Sequence, residues 1–249
     1  MQDIQVRKSG DRGYANHGWL ESYHSFSFAE YFDRAHMHFS VLRVINDDII
    51  APGQGFGMHP HRDMEIVTYM LQGELQHKDS LGNGSIIRAG DVQRMTAGSG
   101  IVHSEVNASE RSNVHLLQIW IMPDRENLQP SYEEKHFSRA QKSNRWCLIA
   151  AANDIKDESG NEALKIHQDI QLYATILDAY ALISYAVEAH RSVYLHVARG
   201  SLEIDGRTFE TGDAVMLSVQ VELQIKATAE SEILLFDLPL HRELGQRSH

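Results

Sequence analysis

Only one cysteine, Cys147, occurs in the 249 residues. An internal disulfide framework and a thiolate metal cluster are both excluded, and the chain fits a reducing, cytoplasmic compartment. Basic residues are also in short supply. Lys and Arg total 23 against 34 Asp and Glu, a formal net charge of −11. A surface of that sign repels phosphate backbones, so no direct nucleic-acid partner is expected. No apolar run reaches the ~18 residues that a membrane-crossing helix requires. The opening MQDIQVRKSGDRGY lacks the apolar stretch of a signal peptide, and no membrane partner is expected. Long helical patterns are few. No phosphate loop is present either, because neither Lys-Ser/Thr nor a helix start follows the glycines at 53, 55, 57, 98 and 100.

What is present is a series of short apolar runs broken by turn residues. EIVTYMLQG (65–73), SIIRAGD (85–91) and NVHLLQIWIMP (113–123) read as strands, the last stopped by Pro123. Many short strands at this spacing predict an all-β sandwich or barrel. The polar segment 124–144 reads as a linker, and the pattern then begins again. GSLEIDGRTFETGDAVML (200–217) echoes GELQHKDSLGNGSIIRAGDVQRM (73–95), with Gly90-Asp91 matched by Gly212-Asp213. A repeat of about 125 residues predicts two similar β-domains packed together, 1–135 and 136–249. The polar tail HRELGQRSH (241–249) reads as unstructured.

Fifteen histidines prompt a search for metal-ligand spacing. His59 and His61, in GMHPHRDME, are two apart and project to one side of a strand. That spacing alone is weak evidence, since His36 and His38 share it with nothing nearby to complete a site. GSGIVHSEVN supplies the complement: His103 and Glu105 are also two apart. Two strands each presenting such a pair inward give three imidazoles and one carboxylate. Four ionisable groups buried together without a metal would be costly. Nitrogen and oxygen donors without sulfur suit Fe, Ni, Cu, Mn or Zn, and four ligands on an octahedral ion leave two positions open. Glu65 has the same parity as His59 and His61 and is an alternative carboxylate.

These motifs resemble the cupin superfamily, a Gly, His-x-His, Glu and Gly set (Gly53, His59, His61, Glu65, Gly73) followed by Gly100, His103 and Asn107. The Glu falls one place earlier than is usual. More narrowly, HPHRDME, MTAGSGIVHSE, LLQIWI and NHGWLESYHSFSFAEYFD resemble the pirin family. The resemblance implies a bicupin of two β-barrel (jelly-roll) domains with one divalent metal in the N-terminal domain. Iron is the first choice, with Mn, Ni, Co, Cu or Zn as alternatives. Its ligand set falls on His59, His61, His103 and Glu105, which leaves Glu65 to support a ligand or Arg62. Aligning Gly200 on Gly73 puts Ala186 and Glu188 at the first His pair. Aligning Gly212 on Gly90 puts Ile225 and Ala227 at the second pair. The second barrel is therefore expected to be metal-free and structural.

Bacterial members of the family resemble quercetin 2,3-dioxygenases, which implies a flavonol-like small molecule and O2 as partners. In that reading Glu105 is both ligand and general base, and Phe56, Arg62, Gln118 and Trp120 contact substrate. Core packing explains Phe56 and Trp120 equally well. Eukaryotic members resemble metal-dependent regulators, which implies a redox sensor acting through a protein partner. Both readings need the same ligands, so the residues themselves do not separate them.

Overall fold

The structure, a computed structural model, describes residues 4–152, 160 and 162–240; the polar tail at 241–249 lies outside them. Ten strands come first: β1 (Gln5–Arg7), β2 (Gly13–Asn16), β3 (Leu20–His24), β4 (Leu42–Ile50), β5 (Gly55–Gln72), β6 (Glu74–Asp79), β7 (Gly84–Arg88), β8 (Asp91–Asn107), β9 (Val114–Ile121) and β10 (Ser131–His136). A single helical turn, α1 (Arg139–Lys142), follows. The second half holds β11 (Cys147–Ala152), β12 (Leu164–Ile166), β13 (Gln171–Leu177), β14 (Leu182–Val187), β15 (Arg191–Arg199), β16 (Ser201–Ile204), β17 (Arg207–Glu210), β18 (Ala214–Leu217), β19 (Val221–Ala227) and β20 (Ser231–Pro239). Among the described residues no helix is long and apolar enough to cross a membrane.

The first unit is one nine-stranded sheet ordered β2-β3-β4-β9-β5-β8-β6-β7, with β10 also on β8. Its two longest strands, β5 and β8, pair antiparallel along their length. On its other side β8 holds β10 first and then β6. The sheet thereby folds over on itself as the expected jelly roll, with its edges left open. The second unit has a seven-stranded sheet, β1-β18-β15-β20-β13-β11-β12, and a four-stranded sheet, β14-β19-β16-β17.

Two boundaries differ from the sequence reading. Segment 124–144 is not a plain linker: β10 adds to the first unit's sheet, opposite Asp91–Thr96. In addition β1, counted with the first domain, pairs with Ala214–Met216 at the edge of the second unit's sheet. Three residues are too few to announce a strand by alternation, and their partner lies some 200 positions away.

The largest apolar cluster lies between the units. Val67, Tyr69, Leu117 and Ile119 of the first meet Ile149, Leu172, Leu234 and Phe236 of the second. One ion pair of the second unit sits at this interface nearly out of water, tied to Tyr69 of the first. Lys142 Nζ lies 3.0 Å from Glu232 Oε1 and donates to the Tyr69 hydroxyl at 2.7 Å. Tyr69 in turn donates to Glu232. Lys142→Met would leave the Glu232 carboxylate buried without its cation and should cost about 3 kcal/mol. Urea unfolding tests this, and Lys142→Met combined with Glu232→Gln should cost less than the single change.

Candidate metal centre and its cavity

Register brings the two predicted pairs together: His59 on β5 lies directly opposite His103 on β8. Gly55 permits the approach at this end, because a Cβ there would stand 2.2 Å from the Glu105 carbonyl oxygen. Ring centroids are 4.4 Å apart for His59–His103, 4.7 Å for His59–His61 and 4.8 Å for His61–His103. One nitrogen of each ring lies within 4.8 Å of the other two. The Nδ1–H of His59 donates to the Gly57 carbonyl at 2.7 Å, which leaves Nε2 free to bind a cation.

His103 is buried, and neither of its ring nitrogens has a hydrogen-bond partner. Such a group costs free energy unless something binds it. Loss of hydration holds His103 down to about 3, with neighbouring imidazoles adding to the effect. The same causes hold His61 at about 4. Imidazole nitrogens converging around the buried His103 fit a divalent transition metal.

Glu105 is buried on the same face and joins His103 and His77 in an adjoining group of possible ligands. Gln93 Nε2 donates to its Oε1 at 2.6 Å, and Gln118 Nε2 to its Oε2 at 2.7 Å. Thr68 Oγ1 lies 3.2 Å from Oε1. Burial raises the Glu105 carboxyl above its usual range, against these hydrogen bonds and the nearby His77.

Glu65 does not share this face. Asp63 takes φ 63°, and the register with β8 shifts between His61 and Asp63. Beyond that point Ile66, Thr68 and Met70 point inward, while Val67 and Tyr69 face the second unit. Glu65 follows the latter set, with Oε1 at 3.3 Å from His167 Nδ1 across the interface. Parity counted from His61 is therefore wrong for Glu65, because a left-handed residue reverses the alternation. Arg62 is corrected too: it is exposed, donates to Asn127 Oδ1 at 2.7 Å and lies outside the cavity wall.

A cavity of about 1010 Å³ opens beside the three imidazoles. Phe56, Gln118 and Trp120 line it, as expected from sequence, together with His59, His61 and Glu105. Trp120 stands edge-on to His61 at 5.0 Å, and Phe56 lies 6.0 Å from His59. His36 and His38 are elsewhere, bound to Asp33 and to the Ser40 carbonyl.

Several site residues escaped the sequence reading. His77 pairs across the strands with Glu105, is fully buried and stacks on Tyr132 at 4.4 Å. Its signal was the alternation Leu75, His77, Asp79 directly after Gly73. Asp48 was signalled by two adjacent acids inside the apolar strand VINDDII.

The second unit repeats the geometry without the chemistry. The cross-strand set Gln93–Thr68–Gln118 is matched by Val215–Leu195–Leu235. His103 opposite His59 is matched by Leu223 opposite Tyr185, and His61 by Val187. Counting back from Asn107 opposite Leu75 and Ala227 opposite Leu202, Glu105 corresponds to Ile225. The glycine alignment had named Ala186, Glu188, Ile225 and Ala227. The second pair is displaced because β18–β19 is two residues shorter than β8 over the same path (Val215 to Ile225 against Gln93 to Glu105), and the first because β14–β15 is one residue longer than β5 (Tyr185 to Leu195 against His59 to Thr68). Among the described residues, ligand groups of three occur only in the first unit.

Two jelly rolls in one chain, the first carrying His-x-His and His-x-Glu on neighbouring strands and the second filled with apolar side chains, define a bicupin. Comparison with known proteins narrows this. A family profile described as Pirin matches residues 5–121, and one described as Quercetinase C-terminal cupin domain matches 154–238. The chain is 45% identical over 236 residues to a quercetin 2,3-dioxygenase of Escherichia coli (strain K12), covering 95% of this chain and 99% of the relative. It is 40% identical to a pirin-like protein of Caulobacter vibrioides over 93% of this chain and 98% of that one. Among solved structures it superposes on the bacterial pirin YhhW of Escherichia coli in complex with nickel(II). The TM-score is 0.88 and the identity 44%, over 95% of this chain and 99% of that one. The chain belongs to the pirin family.

Two tests follow from the geometry. Metal content should survive Glu65→Gln and fall on Glu105→Gln, as read by elemental analysis of the purified variants. The lowered values of His103 and His61 also set an acid response. An unfolded histidine binds its proton near the usual 6.5, whereas these two do so only at about 3 and about 4. Acidification through that window protonates the unfolded chain first and destabilises the metal-free fold. His103→Leu should therefore make the melting temperature of the metal-free protein less sensitive to pH between 6.5 and about 3.

Proposed function

We propose that this chain is a metal-dependent quercetin 2,3-dioxygenase, opening the central ring of a flavonol with O2 and releasing carbon monoxide. The observation that carries the reading is Glu105, a buried carboxylate held by Gln93 and Gln118 where the imidazole cluster meets an aromatic-walled cavity. The full-length relative of that name in Escherichia coli supports it. A purely regulatory centre meeting a protein partner has no use for a deep aromatic-walled cleft of about 1010 Å³ beside the imidazoles, and we favour catalysis.

In this reading His59, His61, His103 and Glu105 hold one divalent metal ion, with iron as first choice; the related YhhW structure contains nickel(II). When bound there, such an ion supplies Lewis acidity and affinity for oxygen donors. Glu105 takes the proton of the flavonol 3-hydroxyl. Its raised basicity suits that role, since an ordinary carboxylate is a weaker base. Gln118 and Gln93 keep its oxygens aimed, one donor on each. Phe56 and Trp120 exclude water from the reacting ring and hold it flat. Residues 1–135 form the metal-binding half and 136–249 its support, with β1 crossing from the first to the second.

Metal-loaded protein should consume quercetin and O2 and release carbon monoxide. His59→Ala should lose both metal and turnover. Compared per bound metal ion, Glu105→Gln should lower kcat by roughly a hundredfold or more if the carboxylate is the base. No turnover with Fe, Mn, Ni, Co or Cu loaded would reject the proposal.

A further inference from the structure

The cavity wall away from the imidazoles carries a second set of polar groups that the reaction above does not use. Four strands present it in register. His24 on β3 lies opposite Asn46 on β4, Asn46 opposite Gln118 on β9, and Gln118 opposite Thr68 on β5. This row leads from the site of Glu105 to the far wall. Beside it, one step along the same face, Ser22 lies opposite Asp48. Ser22, His24, Asn46 and Asp48 all line the cavity.

His24 and Asp48 each have one hydrogen-bonding position left over. His24 Nδ1–H donates to Asn46 Oδ1 at 2.8 Å, so Nε2 is left as an acceptor. Ser22 Oγ–H donates to Asp48 Oδ1, and Asp48 Oδ2 makes no bond within the protein. The partners nearby serve the neighbouring acid instead: the Arg12 guanidinium and the His115 ring both lie against Asp47. A carboxyl buried with one hydroxyl partner and no cation is unusual without a ligand. Burial pushes it up to about 7, and Asp47 and Glu105 add to the effect. The rings around this wall are aromatic, with Phe28, Tyr31 and Trp19 in it and His24 stacked on Tyr31.

We propose that His24 and Asp48, oriented by Asn46 and Ser22, form a specificity subsite for adjacent hydroxyl groups on the ring of an aromatic substrate remote from the metal-binding atoms. The proposal rests on the flavonol reading and deepens it: the site would choose flavonols with a catechol ring over those without. Asp48 is one strand over from Gln118 and two residues along from Asn46, a separation of roughly 8 Å from strand spacing and rise. One aromatic ring with its hydroxyls spans that distance.

The test is anaerobic binding to the metal-loaded protein, read by quenching of tryptophan fluorescence. The probes are quercetin, with a catechol ring, and galangin, the same flavonol without those hydroxyls. Wild type should prefer quercetin by about tenfold or more, the worth of one or two hydrogen bonds. Asp48→Ala should bring quercetin down to the affinity of galangin and leave galangin unchanged. His24→Phe keeps the ring stack, removes the acceptor, and should do the same if the Asp48 variant does not fold. A preference retained in the variants, or both ligands weakened equally, would overturn the subsite and leave the flavonol reading standing. If neither flavonol bound the wild type, the flavonol reading itself would fall, and the subsite with it.

Discussion

Asp63 sits in the middle of β5 with φ 63°, and the ladder to β8 shifts beside it. The chain tolerates this left-handed residue because Asp is one of the few non-glycine types that adopts it, and here its carboxylate accepts the Asn127 N–H at 2.7 Å. One strand thereby serves two interiors. Before Asp63, His59 and His61 face the cavity. After it the odd-numbered side chains Glu65, Val67 and Tyr69 turn to the second unit, and Thr68 takes over the inward face. Without the reversal, Glu65 would crowd the metal centre. The interface would in turn lose Val67, and with Tyr69 its bonded set with Lys142 and Glu232.

The same fold built twice shows what a site costs the core. In the second unit Val187, Leu195, Val215, Leu223, Ile225 and Leu235 belong to one continuous apolar cluster. In the first unit the matching positions are His61, Thr68, Gln93, His103, Glu105 and Gln118, and the apolar packing is divided into two smaller clusters on either side of them. Burial of apolar area stabilises the second unit throughout. The first gives up that stabilisation along its polar row and leans on the large shared cluster at the interface. The second jelly roll, without the ligand set, therefore has a packing role of its own. It covers the outer face of the sheet that carries the imidazoles and the Glu105 carboxylate.

Some of the site was readable from spacing and some was not, for identifiable reasons. His59 with His61 and His103 with Glu105 are legible because each pair lies within an unbroken stretch of strand, where alternation holds. Glu65 misleads because the reversal at Asp63 comes between it and the histidines. Arg62 stands next to the reversal and points to Asn127 in solvent. The glycine repeat found the second jelly roll and its lack of ligands. It named the wrong residue at each of the four ligand positions, since a difference of one or two residues in length between strands changes no local pattern. His77 and Asp48 stood in the sequence as polar residues within strands, but their partners, Tyr132, Glu105 and Ser22, come from other strands.

Residue order alone determined the all-β class, the doubling of the unit, and the presence of a three-imidazole, one-carboxylate set in the first half. These follow from short-range periodicity and the chemistry of the side chains, which need no knowledge of what packs where. Only the tertiary structure decided which carboxylate belongs to the site and which to the interface, that β1 completes the opposite sheet, and that Ser22, His24, Asn46 and Asp48 share one cavity wall. Those depend on register between strands far apart in the chain, and one left-handed residue or a two-residue difference in a turn changes register while leaving local composition almost untouched.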